Sequence, residues 1–169
     1  MILPVNETPD FFIPVLAMVD EDVLKELNHQ MKTYPKFIEE IPDYMHLHRY
    51  ALGKWTIKEM VGHITDTERI KLDAALRIAR NDKVSIPGFD ENQYVQNTDF
   101  NHRSMGNMLE EFLSVRKSAI LLYESLSEEE LKRIGTASGK PVSSRALFYF
   151  LVGHVRHHEK ILKKRYLIK

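Results

Sequence analysis

His154 and His158 stand four residues apart in the stretch from Leu151 to Leu162. On a helix that spacing puts both imidazoles on one face, one turn apart. There they can reach a single metal ion, as the paired histidines of helical zinc sites do. A pair does not complete a site, because zinc-type centres take at least three protein ligands. His63, inside an apolar-periodic stretch far up the chain, is the candidate for the third. Three neutral imidazoles would leave a fourth position open to water or substrate, which is the catalytic arrangement and not the closed structural one. The bland alternative stays open here. A chain with eight histidines yields such pairs by chance, and all three could be buried rings hydrogen-bonded to their neighbours.

Two further residues could assist proton movement. Asp66 lies one turn after His63 and could orient a ring or hold a water near the metal, or it is a solvated charge on the helix flank. His157 adjoins the pair but points about 60° away from His154 on a helical wheel. It could line a pocket as an acid or base, or serve a surface or interface. Arg156 points elsewhere and reads as solvated or intersubunit, and Glu68 and Arg69 read as a solvated helix face. Trp55, the one tryptophan, precedes a helix start and can pack back on Met60 or nearby groups as a staple. Phe89, Asp90 and Tyr94 could wall the mouth of a pocket above the metal, or cap the end of the fold.

The elements that must carry these residues are helices. After residues 1–19, where Pro4, Pro9 and Pro14 predict an extended arm packed along the body, apolar residues recur at helical spacing from Val23 to Ile41. Pro35 is expected to bend or split that first helix. Thr56 and Glu59 form a capping box for a second long helix that carries His63 and runs to about Arg80. A long connection, 85–103, should hold a short helix from Glu91 to Gln96. A third long helix spans 104–125, and Ser127 with Glu130 caps one short turn. A polar loop or small hairpin covers 135–142. Ser143 or Ser144 then caps a fourth long helix with His154 and His158. The expected fold is all-α: one four-helix bundle over 20–169, with one long crossover between helices two and three that lets those two run parallel.

Composition removes several functional classes. Lysine plus arginine equals aspartate plus glutamate at 24 each, so no global field favours nucleic acid or an anionic membrane. Without cysteine there is no disulfide framework, thiolate site or cysteine nucleophile, and any metal must rest on histidine and carboxylate. The run from Phe11 to Val19 is too short to span a bilayer and unlike a signal peptide. A cytoplasmic protein is expected. No phosphate-binding glycine loop is present, since Gly135 to Gly139 lacks the lysine and following helix.

Three segments together carry a family resemblance: Gly53 to Arg69, with Trp55, His63, Asp66 and Glu68; Pro87 to Tyr94; and Gly153 to Ile161, with His154, His157 and His158. In order and separation they resemble the DinB-like superfamily, the DinB/YfiT branch of metal-binding four-helix bundles. The resemblance covers nearly the whole chain after the arm. It implies that His63, His154 and His158 bind a divalent metal, zinc or nickel, and that the protein forms a homodimer. It also implies a metal-dependent hydrolase, or a transferase that moves a low-molecular-weight thiol onto an electrophilic small molecule. A non-catalytic metal- or ligand-binding stress-response bundle is the alternative. Shared fold and ligands leave the reaction itself open.

Overall fold

The computed structural model describes residues 3–19 and 22–166; expectations for residues 1, 2, 20, 21 and 167–169 lie outside the described residues. Four long helices form the body: α2 (Val23–Glu39), α3 (Ile57–Ala79), α5 (Met105–Ser125) and α7 (Ser144–Arg165). Shorter pieces are α1 (Ile13–Leu16), α4 (Glu91–Gln96), α6 (Glu128–Lys132) and a hairpin of β1 (Ile134–Ala137) and β2 (Lys140–Ser143). The local signals act where the sequence places them. Thr56 Oγ1 accepts from the Glu59 amide at 3.0 Å, and Glu59 returns a carboxylate to the Thr56 amide at 2.7 Å. Ser127 and Glu130 do the same for α6, and Ser143 caps α7. Glu59 also accepts from both terminal guanidinium nitrogens of Arg49 and from the Asn101 side-chain amide, so it ties two loops to the start of α3.

Each of α3 and α2 packs against both α5 and α7, so α2 lies diagonally across the bundle from α3. Direction follows from side-chain partners. Thr56 at the start of α3 meets Asn101 just before α5, and further along Arg69 of α3 meets Glu111 of α5, which sets these helices parallel. His63 meets His154, while Ser144 Oγ donates to the Ala75 carbonyl, so α3 and α7 are antiparallel. Parallel neighbours need a chain that returns along the molecule, and the 80–104 connection supplies it. Its entry is pinned to the hairpin by Ile86, which donates to the Thr136 carbonyl and accepts from the Ser138 amide. Its exit closes over α3 at Gly62, where a Cβ would fall 2.3 Å from the Phe100 ring.

Two expectations are corrected. The N-terminal segment is not extended: it winds through 3₁₀ turns at Val5–Glu7 and Asp10–Phe12 into α1. Pro14 sits in the first turn of α1, where a missing N–H costs nothing and the fixed φ suits a helix. Nor does Pro35 split its helix. α2 runs through it, because Tyr34, Pro35 and Ile38 are all buried against the bundle and packing outweighs one lost backbone bond.

The arm is fastened at both ends of its path. Phe12 is buried and its ring lies 4.2 Å from that of Phe150, and Arg145 makes two 2.6 Å hydrogen bonds to Glu7. The Arg145 guanidinium holds the Glu7 carboxyl below its ordinary value of 4.5. A carboxyl lowered in the fold contributes stability above its unfolded pKa and loses it as pH falls through the folded one. Glu7→Gln is therefore expected to cost about 2 kcal/mol at pH 7, and the gap to wild type should close in acid well below pH 4.5. Urea melts at several pH values check this; a gap constant with pH would contradict the ion pair.

Candidate metal centre

α3 and α7 bring three imidazoles to one point. His63 Nε2 lies 3.2 Å from His154 Nε2, which lies 3.0 Å from His158 Nε2, and one nitrogen from each ring falls within 4.8 Å of the other two. All three residues are buried. Burial lowers His63 to about 4, and His157 adds to the shift. Burial also holds His154 and His158 well below the ordinary histidine value, followed by the neighbouring histidines. The rings are thus neutral at physiological pH, the state in which an imidazole offers a lone pair.

Hydrogen bonding alone does not account for this cluster. A ring nitrogen has one in-plane lone pair or one N–H, so His154 Nε2 can serve one of its two neighbours well, not both. A shared ion satisfies all three at once. Zn–N bonds of about 2.0–2.1 Å in tetrahedral array separate nitrogens by roughly 3.3 Å, close to the distances found. The outer nitrogens bear on the fit as well. His63 Nδ1 has Thr67 Oγ1 at 3.4 Å, whereas His158 Nδ1 is buried with no hydrogen-bond partner among the described residues. The donor set, three nitrogens without sulfur or carboxylate, suits zinc, nickel, copper or iron.

The cluster borders a cavity of about 510 Å³. Trp55 forms one wall, its ring 4.6 Å from that of His63. Phe150 stacks on His154 at 5.2 Å. The arm closes another side through Phe11, Phe12 and Val15, and the crossover contributes Phe89 and Glu91. Asp90 caps α4 and Tyr94 packs edge-on against Phe89. The arm can lie this close because residue 153 is glycine: a Cβ there would fall 2.3 Å from the Val15 carbonyl oxygen. Gly153→Ala is expected to destabilise the protein by about 1–3 kcal/mol through overpacking and to loosen the arm. Faster amide exchange across 12–18 than in wild type is the check.

The other sequence candidates divide. His157 is half-buried and lines the cavity, its ring 5.2 Å from that of His158; burial, then Lys160, lowers its pKa. Asp66 is not brought to the cluster. It sits beside Arg69 at 3.7 Å, toward α5, and lines no part of this cavity. Position 66 lies about 60° round the helix from His63 on one side, beside Arg69, whereas Thr67 and Lys71 lie about 40° and 80° round on the other side, which faces the cavity. Arg156 is half-buried and paired: it binds the Glu26 carboxylate and the Met18 carbonyl. Glu68 is likewise not a solvated residue but is buried against Arg116. Lys71, which the sequence reading passed over, lines the cavity with its ammonium over the rings of Phe12, Phe150 and Phe89 at 5.5, 5.5 and 5.8 Å. The spacing 63, 67, 71 was the available signal.

Fold and site together define a helical bundle with a buried three-histidine cluster facing a cavity. The DinB superfamily profile matches residues 26–162, and the chain belongs to that superfamily. Among solved structures it is similar to YfiT from Bacillus subtilis, described as a probable metal-dependent hydrolase with an unusual four-helix bundle topology. The similarity has a TM-score of 0.74 at 17% identity and covers 99% of this chain and 95% of that one. No curated protein matches the sequence. Among the described residues, no helix is long and apolar enough to cross a membrane.

Proposed function

We propose that the protein is a metal-dependent enzyme acting on a small molecule, with His63, His154 and His158 as the ligands of a divalent ion, zinc or nickel. The observation that carries this is the convergence of three neutral, buried Nε2 atoms beside a cavity. Bound there, such an ion supplies an open position that lowers the pKa of a water or a thiol toward neutrality, for hydrolysis or for thiol transfer.

The remaining chemistry belongs to side chains. Trp55 and Phe150 lie against the His63 and His154 rings, and such apolar walls strengthen charge interactions beside them. His157, half-buried at the cavity wall and lowered in pKa, is suited to take a proton from the reacting group and release it to solvent. Thr67 steadies the His63 ring from its outer nitrogen. Asp66 has no part in this reading.

The test is elemental analysis of tag-free protein with His63→Ala and His158→Ala alongside. About one ion per chain in wild type and loss in both variants is expected, followed by a thiol-transfer and ester or amide hydrolysis screen. Metal retained in both variants would reject the site. Metal bound without turnover on any of these substrates would favour the stress-response binding protein instead.

A further inference from the structure

The cavity has two chemically different ends. One is the histidine cluster. The other is Lys71, on the same face of α3 and about 12 Å further along the helix axis at 1.5 Å per residue. Lys71 is 9% exposed, and among the described residues no hydrogen bond or ion pair reaches its ammonium. Three aromatic faces surround it. Rings attract a cation but accept none of its three N–H bonds as a carboxylate or carbonyl would. A buried ammonium without acceptors is costly, and a partner arriving through the cavity would remove that cost.

We propose that Lys71 anchors the carboxylate of an organic acid whose apolar part lies among Phe12, Phe89 and Phe150. The inference rests on reading this cavity as the substrate site, but it does not require the metal. The surroundings favour a monoanion. Glu91 stands on the same cavity wall as a competing negative charge. At the nearby start of α4 the Asn92 and Gln93 amides are already taken by the Asp90 carboxylate, itself a further negative group. A phosphate dianion would find one cation and one carboxylate, whereas a single carboxylate is matched by one ammonium.

Hexanoate and hexanamide, identical in shape but not in charge, are suitable probes. They would be titrated into lysine-labelled protein, both metal-free and after zinc loading, with side-chain NMR as the readout. Lys71→Met assigns the resonance and removes the charge while filling similar space; Lys71→Gln is the second variant should the first fail to fold. One lysine signal, absent from the variants, is expected to shift with hexanoate. Hexanoate should bind roughly ten-fold or more tightly than hexanamide, and the variants should lose that preference. Equal affinity for acid and amide in wild type, a preference that survives in the variants, or no binding in either metal state would each overturn the proposal. Zinc uptake is read separately. Lysine-dependent acid binding without zinc uptake would leave the anchor standing and remove the metal reading, and the reverse result would do the opposite.

Discussion

Glu68→Ala is expected to cost about 3–5 kcal/mol of stability, because it leaves a guanidinium buried without its counter-ion. Arg116 is 0% exposed. Its Nε and Nη2 donate to the two Glu68 oxygens at 2.6 and 2.8 Å, and Nη1 donates to Gln30 Oε1 at 2.6 Å. Gln30 in turn donates to the Val152 carbonyl at 3.0 Å. One polar network thus joins α2, α3, α5 and α7 at mid-bundle, one turn from the histidine cluster. Against a total of about 5–15 kcal/mol for a domain, losing one member leaves little. The double variant Glu68→Leu with Arg116→Met removes both charges and should recover most of the loss, since a buried pair is often replaceable by apolar groups of like volume. Urea unfolding of Glu68→Ala, of the singles Glu68→Leu and Arg116→Met, and of the double decides it. A Glu68→Ala protein within 1 kcal/mol of wild type, or a double variant as unstable as the singles, would mean the network carries little of the fold.

That network also shows where the sequence stops being legible. Glu68 and Arg69 are adjacent charges 100° apart on a helix. One turns into the bundle and the other outward, and nothing local distinguishes them, because the deciding partner is 48 residues away. The same holds for Arg116 beside Lys117. Asp66 misleads for a related reason: three residues from His63 is near enough in sequence to suggest a shared site, yet it lies on the side of the helix away from Thr67 and Lys71, beside Arg69. What can be read is what local geometry determines: the two capping boxes, the limits of α4 and the parallel course that the long crossover permits. The i,i+4 histidine pair belongs here as well. Bringing His63 to that pair spans 91 residues; its place on an apolar helix face made it a candidate, and the family resemblance pointed to the same residue. Lys71 carried no such signal beyond its spacing, because its environment is built by the arm and the crossover, two segments whose paths no periodicity predicts.

Zinc is expected to raise the melting temperature of wild type by about 10 °C at a free concentration near a thousand times its dissociation constant. A ligand that binds only the folded state adds about 4 kcal/mol there, and each kcal/mol moves the transition of a domain this size by about 2–4 °C. His154 is the residue to remove, because its Nε2 is the nitrogen to which both other rings point. Without it, His63 and His158 face each other across a gap with no third donor, and two imidazoles hold such ions weakly. The zinc shift should vanish in His154→Ala, while its chelated melt changes only by what a buried ring contributes to packing. His157→Ala is the matched control, since its ring lines the cavity but takes no part in the three-nitrogen cluster; its zinc shift should equal that of wild type. A wild-type melt that is the same with zinc and with chelator would leave the three histidines as a hydrogen-bonded element of the core. The carboxylate anchor at Lys71 would then be the only ligand chemistry left to the cavity.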